Sequence, residues 1–315
     1  MIYALISIAL FLSLLVYFKL ADYFNIIDKP NERSSHTVTT IRGGGIVFPL
    51  ALIFYTFLFG QVSYILISGA LAISLISFLD DLYTLPSRTR VIIHLLSVST
   101  LIYVSNGIYS CPMWLIPIFF ILVIGCINAY NFMDGINGIT GLYSLVAFGS
   151  LYYVNRFENS IDGDFILTGI LACIVFLYFN FRKRAKCFAG DVGSVSVAFW
   201  IIVIIILLIL DTGNLKYVLF LSVYGTDAIL TIIHRLILKQ NIFDAHRLHF
   251  YQILANDQKI PHLYVSAVYA GLQLFLNFII IQVDLEFYWL FLLINLPLCL
   301  IYITLKPRLM LRIVK

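Results

Sequence analysis

Apolar residues run along this chain in long blocks, broken at intervals by short polar stretches. A helix that crosses a bilayer needs about 20 mostly apolar residues. Eleven such blocks can be read, at roughly 2–20, 46–60, 64–80, 91–106, 114–131, 138–154, 165–181, 194–210, 216–236, 263–282 and 287–305. Several are short or abut their neighbours. The longest polar connections, about 21–45 and 237–262, leave no room for an aqueous domain. No internal repeat, low-complexity tract or linker interrupts the series. The pattern therefore predicts an all-α polytopic membrane protein of about eleven transmembrane helices, folded as one domain over residues 1–315. The first block has no basic residue before Lys19 and no small-residue cleavage site, so it is expected to remain a membrane helix.

Composition agrees: 62% of residues are hydrophobic and 11% charged, which excludes an ordinary soluble domain. Cys111, Cys126, Cys173, Cys187 and Cys299 are scattered and form no CxxC pair, so neither zinc nor a disulfide framework is supported. The net charge of +4 says less than its distribution. With eleven spans, one set of alternate loops holds eighteen of the Lys and Arg residues, and the other holds only Arg156 and Lys216. The positive-inside rule then places the N-terminus outside and the C-terminus in the cytoplasm.

Four acids sit at block edges on that cytoplasmic side: Asp80 and Asp81 in FLDD, Asp134 in NFMDG and Asp191 in FAGDVGS. Such groups cost roughly 2.5–3.5 kcal/mol each at a helix centre on insertion scales, and less at the water boundary. Gathered on one face, they would suit a divalent cation and phosphate. Each loop also has a plainer reading. Arg33, His36 and Arg42 precede three glycines whose N–H groups suit an anion; equally, this is a flexible basic entry to a helix. Asp80 and Asp81 end a helix, where the dipole disfavours them, so they call for a cation or for Arg88 and Arg90. Asn128, Asn131, Asp134 and Asn137 are spaced by three, on nearly one face if the helix persists; a C-cap and turn is the alternative. Asp191 could be a metal ligand or simply the N-cap of the next helix. His246, Arg247 and His249 form a basic stretch that could clamp a diphosphate or mark the interface. No acid or thiol completes a metal set with these histidines. Asp227 lies inside the ninth span, and His234 or Arg235 is its expected partner.

In this order, the segments DKPNERSSH–RGGG, FLDD, NAYNFMDG, FAGDVGS, TDAILTIIHRL and AHRLHFYQ resemble the polyprenyl-phosphate N-acetylhexosamine-1-phosphate transferase family (glycosyltransferase family 4). They run from Asp28 to Gln252. The resemblance implies that undecaprenyl phosphate attacks the β-phosphorus of a UDP-N-acetylhexosamine and releases UMP. It implies Mg²⁺, or Mn²⁺ in its place, with Asp191 as the metal ligand. It further implies that Asp80 and Asp81 position or deprotonate the lipid phosphate, with His246 as a catalytic partner. Asn131 and Asp134 would hold the nucleotide-sugar, helped by Asn128 and Asn137, while His246, Arg247 and His249 clamp its diphosphate. Asn137 stands where many members have a second Asp, and HRLHFYQ lacks the denser histidine run of the branch that takes a muramoyl-pentapeptide. The chain is thus closer to the branch that initiates O-antigen or capsule glycans. The expected setting is a bacterial inner membrane with the active face cytoplasmic; no nucleic acid is implied, and a homodimer is compatible. A covalent phospho-aspartyl step on Asp80 or Asp81 is the alternative to direct attack. Two rival functions are a transporter or flippase for a glycolipid or nucleotide-sugar, and a non-catalytic scaffold. The absence of a visible repeat and the acids at one edge speak against the transporter.

Overall fold

The computed structural model describes residues 1–28, 39–105, 112–241 and 246–311. Its helices are α1 (Ile2–Tyr23), α2 (Val47–Leu58), α3 (Tyr64–Tyr83), α4 (Ser87–Val104), α5 (Leu115–Phe132), α6 (Ile139–Glu158), α7 (Gly163–Asn180), α8 (Gly190–Thr212), α9 (Ser222–Ile237), α10 (Phe250–Gln252), α11 (His262–Gln282) and α12 (Phe287–Leu311). Ten of the eleven apolar blocks each fall on a single helix. The block at 216–236 divides into a 3-10 segment, Leu215–Leu221, followed by α9. The addition is the short α10, which runs into a π-helical turn at Ile253–Asp257. Eight helical segments among the described residues are long and apolar enough to cross a membrane. Helix α2 is too short for that at 12 residues, even with the 3-10 turn at Gly44–Ile46 before it. Helices α4 and α6 carry more polar positions, among them Arg88, Arg90, Asn155 and Arg156. The architecture is that of an all-α, multi-pass membrane protein.

Helix α8 is apolar on every side, as a helix surrounded by others must be. It packs against α2, α3, α5 and α6, and 83% of its most apolar window is buried. Helices α1, α5 and α12 form the rim, presenting Leu12, Ile121 and Leu296 outward. Lipid tails are as apolar as leucine, so helices in a bilayer associate through close packing and polar bonds rather than by hiding from water. Both occur here. A Cβ added at Gly45 would lie 2.1 Å from the Cα of Gly193, so these two backbones touch. Gln273 on α11 accepts the Tyr143 hydroxyl (2.6 Å) and the Val223 N–H (2.9 Å), and donates to Asn277 (2.7 Å). Tyr143 in turn stacks on Tyr224 at 3.6 Å, and α6, α9 and α11 are joined by the set.

Side-chain bonds separate the bundle into two ends. At one, Tyr55 donates to Asp162 (2.5 Å), Tyr3 to Asp164 (2.7 Å) and Ser160 to Asp211 (2.5 Å). At the other, the C-termini of α3, α5 and α7 meet the N-termini of α6, α8, α10 and α11. A two-residue antiparallel ladder, β1 (Ile27–Asp28) with β2 (Thr40–Ile41), pins the first connection there, and Ile41 also bridges Cys187. The four described cysteines are free.

Candidate active site

Asp80 and Asp81 occupy the last turn of α3, which Thr84 closes in a left-handed conformation (φ 49°). One residue apart on a helix, they point in different directions and meet different partners. The Asp81 carboxylate is wholly buried. Its Oδ1 accepts the Asp191 N–H (3.0 Å) and faces Arg42 Nε at 2.8 Å, while Oδ2 accepts the Val192 N–H (3.0 Å). The first N–H groups of a helix have no partners within it, and they form its positive end. Asp81 therefore caps α8 from another helix. The approach needs Gly190: its φ is 70°, and a Cβ there would lie 2.5 Å from Asp81 Oδ2.

Asp80 accepts the Leu85 N–H (2.6 Å) and pairs with Arg90 Nη1 (2.7 Å), which reaches Asp191 Oδ2 at 4.0 Å. Asp191 lies in the first turn of α8 rather than at its N-cap, because the helix begins at Gly190 and Asp81 supplies the cap. Its carboxylate is 27% exposed and accepts no hydrogen bond from the described residues. It is the site acid with the most freedom to bind something else.

The expectation of a single helical face for Asn128, Asn131, Asp134 and Asn137 is not met, since α5 stops at Phe132. Asn128 donates back to the Ile124 carbonyl (2.8 Å). Asn137 is buried and spends its amide on the carbonyls of Arg182 (2.8 Å) and Lys183 (3.4 Å), fastening one loop to the next. Asn131 and Asp134 remain at the centre. Asn131 accepts the Ser194 hydroxyl of α8 (2.5 Å), and Asp134 accepts Thr140 (2.6 Å). Burial pushes the Asp134 carboxyl up to about 6; the Thr140 bond opposes this and the charge of Asp81 adds to it.

Two of the three glycines are not free to cradle an anion. The N–H groups of Gly44 and Gly45 donate to the carbonyls of Phe188 (2.8 Å) and Ala189 (3.0 Å), so they lock the first loop onto the segment before α8. Arg42 is thereby held against Asp81. Arg33 and His36 lie outside the described residues.

In the histidine segment, His246 and His249 have ring centroids 5.0 Å apart. Burial lowers His246 to about 4, helped by the nearby charges of His249, Arg235 and Lys306, so this ring is neutral at pH 7 in the empty site. Arg247 acts electrostatically on Asp257. Neither His234 nor Arg235 partners Asp227. That carboxylate faces His249 Nδ1 at 3.5 Å and accepts the N–H groups of Phe250 (2.9 Å) and Tyr251 (3.3 Å). Sequence distance hid this partner: the 22-residue separation follows no helical spacing, and a neighbour on the same helix was the natural choice. The two regions adjoin, because Tyr251 donates to the Phe132 carbonyl (3.0 Å) and the Phe132 ring lies 6.5 Å from His249.

The sequence profile of glycosyl transferase family 4 matches residues 62–209, the stretch from α3 to α8 that carries all four site acids. This stretch, a little under half of the chain, is similar to glycosyl transferase family 4. The undecaprenyl-phosphate alpha-N-acetylglucosaminyl 1-phosphate transferase of Escherichia coli K12 is 29% identical over 226 residues, 64% of this chain and 61% of that protein. The protein of the same name from Thermotoga maritima is 25% identical over 299 residues, covering 92% of this chain and 91% of its own. A phospho-N-acetylmuramoyl-pentapeptide-transferase of Dictyoglomus thermophilum is 29% identical over 173 residues, 49% and 55% of the two chains. The matched stretch of the Escherichia coli protein is thus about three-fifths of its length.

The matched stretch leaves out Arg42, Asp227 and the histidine segment, which reach the site through the contacts just described. Among the described residues, no group of three or more His, Cys, Asp or Glu side chains is arranged to hold a metal ion by itself. Mg²⁺ does not require one: it is held through one or two carboxylates, with waters and substrate phosphates completing the octahedron. The Asp191 carboxylate, which accepts no hydrogen bond from the described residues and has only the long pair to Arg90, fits that pattern. Asp80 and Asp81 fit it less well, since guanidinium and backbone N–H groups already engage them.

Proposed function

We propose that this protein transfers N-acetylhexosamine-1-phosphate from a UDP-sugar to undecaprenyl phosphate at the cytoplasmic face of a bacterial inner membrane. The observation that carries the reading is the gathering of Asp80, Asp81, Asp134 and Asp191 with Arg42 and Arg90 at one end of a bundle of apolar helices. The names of the relatives support it. In the reaction, an oxygen of the lipid phosphate forms a bond to the β-phosphorus of the donor. The bond from that phosphorus to the oxygen bridging the α-phosphorus breaks, and UMP departs with the electron pair. The first membrane step of an O-antigen or capsule pathway is the branch proposed.

Asp191, with Mg²⁺ or Mn²⁺ bound, supplies the site's cation ligand; the ion's contribution is to neutralise phosphate charge. Asp81 keeps Arg42 and the start of α8 in register, so that Asp191 is presented rather than buried. Asp80 holds Arg90 beside it. Asn131 and Asp134 line the approach for the sugar-nucleotide, and Arg247 and His249 offer donors to a phosphate. A phosphomonoester has its second pKa near about 6, so the nucleophile is already largely ionised at neutral pH and needs orientation more than a base. Direct attack is favoured over a phospho-aspartyl step, because every oxygen of Asp80 and Asp81 is already bonded to a donor.

The test is UMP release by purified protein given UDP-N-acetylglucosamine, undecaprenyl phosphate and Mg²⁺, with a panel of UDP-sugars to find the donor. No release from any donor, or release unaffected by EDTA, refutes the reading as stated.

A further inference from the structure

Asp227 sits in the middle of a polar chain that links four helices. Its Oδ1 accepts the Phe250 N–H (2.9 Å) and the Thr231 hydroxyl (3.2 Å), and its Oδ2 accepts the Tyr251 N–H (3.3 Å) and the Tyr269 hydroxyl (2.7 Å). Thr231 also meets Tyr302 of α12 (2.7 Å), to which Lys306 donates. Every group turned toward Asp227 is a donor. An ionised carboxylate accepts at both oxygens, whereas an amide would set its own NH₂ against two of these donors. Oδ1 also faces His249 Nδ1 at 3.5 Å. Both ring nitrogens are buried without a hydrogen bond among the described residues, and of the two only Nδ1 has a charged partner, Asp227, so Nε2 on the opposite side is left with none. Buried polar atoms are rarely left so unless a ligand completes them. The surrounding charged and titratable groups are His246 beside α10, Tyr251 on α10, Arg235 on α9, Tyr269 on α11, and Tyr302 and Lys306 on α12. A cationic neighbourhood of this kind suits an anion.

We propose that Asp227 is a positioning residue: it holds Nδ1 of the His249 ring inward and so aims the opposite nitrogen, Nε2, at a phosphate oxygen of a substrate. The same bonds hold α10 at its start and fix where the ring sits. The proposal rests on the transferase reading for the identity of the phosphate, which is either the diphosphate of the nucleotide-sugar or the phosphate of the lipid.

The experiment compares full-length wild type, Asp227→Asn and Tyr269→Phe in nanodiscs. Tyr269→Phe removes one donor but leaves the charge and the His249 pair. UMP release is followed against pH and against each substrate. Asp227→Asn should lose at least about 30-fold in kcat/KM, about 2 kcal/mol of transition-state stabilisation. Its alkaline limb should move at least about one pH unit lower, because the ring has lost the carboxylate beside it. Tyr269→Phe should stay within about three-fold, with the limb unmoved. A rise in KM confined to UDP-N-acetylglucosamine identifies the donor diphosphate as the anion; a rise confined to undecaprenyl phosphate identifies the lipid.

Nitrogen NMR of labelled histidines, with His249→Gln for assignment, gives a readout that needs no activity. Adding inorganic pyrophosphate to wild type should move the Nε2 resonance of His249 and spare Nδ1, and Asp227→Asn should shift the ring's titration to lower pH. Absence of UMP release in wild type would defeat the transferase reading while leaving the NMR result to decide the positioning role. If Asp227→Asn does not fold, the wild-type pyrophosphate titration decides. The proposal is overturned by an unchanged limb and titration in Asp227→Asn, by a pyrophosphate response at Nδ1 or at neither nitrogen, or by Asp227→Asn and Tyr269→Phe losing activity in parallel with thermal stability.

Discussion

Asp81 on α3 and Asp227 on α9 each accept two consecutive backbone N–H groups at the start of a later helix: Asp191 and Val192 in one case, Phe250 and Tyr251 in the other. Each also faces a basic side chain, Arg42 or His249. What differs is the company. Around Asp81 stand Asp80 and Asp191, and its counter-charge is a guanidinium that does not titrate. Around Asp227 stand Arg235, His246 and Lys306, and it faces an imidazole rather than a guanidinium. One anchoring arrangement thus supports an acidic pole suited to a cation and a basic pole suited to an anion. Asp134 lies between them, in electrostatic reach of both Asp81 and Tyr251. Holding the backbone and doing the chemistry fall to different residues.

The sharpest way to break the comparison is Asp81→Ala. It leaves Arg42 and two helix-start N–H groups unmatched, and removing one partner of a buried pair costs about 3–5 kcal/mol. Transfer should fall by at least about 10³-fold together with thermal stability, given the size of single electrostatic contributions to catalysis. A variant that unfolds at the wild-type temperature would show that Asp81 is not an anchor. Asp191→Asn should separate the two roles. We expect about 10²–10³-fold loss of UMP release with a thermal midpoint close to wild type, since that carboxylate accepts no hydrogen bond from the described residues. Full activity in this variant would remove its metal role.

The next effect is one of pH. Asp134, raised to about 6 by burial, is protonated in the empty protein below that value. A carboxyl raised on folding adds stability that is present below its unfolded pKa and is lost as pH rises through the folded one. The thermal midpoint of the ligand-free protein should therefore decline between about pH 4 and pH 6, and Asp134→Asn should flatten that slope. An identical slope in both proteins would assign it elsewhere. The smallest effect should come from the far end, where Asp162 accepts Tyr55 but serves no site. Tyr55→Phe should cost about 1–3 kcal/mol, because its hydroxyl both donates to Asp162 and accepts the Val62 N–H, and leave transfer untouched. A large loss of activity there would mean that the two ends are coupled.

The membrane architecture and the four acids were legible in the sequence because both are local signals. A run of apolar residues specifies a spanning helix wherever it sits, and an acid at its edge stands out against that background. The partners were not legible. Arg42 with Asp81 and Asp227 with His249 are tertiary contacts between connections, and no periodicity links such positions. Local readings also went astray where packing took over a motif. The glycines before α2 could be read as an anion site or as a flexible helix entry, and the N–H groups of Gly44 and Gly45 are consumed by the carbonyls of Phe188 and Ala189. The Asn128 to Asn137 stripe assumed a helix that in fact ends at Phe132, and the polar residues beyond it fasten loops.

The staple at Asp81 joins positions 42, 81 and 191, which leave the ribosome at very different times. Until α8 is inserted, Asp81 has Arg42 but lacks the N–H groups of Asp191 and Val192, so the acidic pole is incomplete. The Asp227 network closes later still, because Tyr302 and Lys306 arrive with the last helix. A nascent chain halted between those two moments would own one finished pole and one open one. Biogenesis would thus proceed in two steps, with the cation-seeking half competent before the anion-seeking half is assembled.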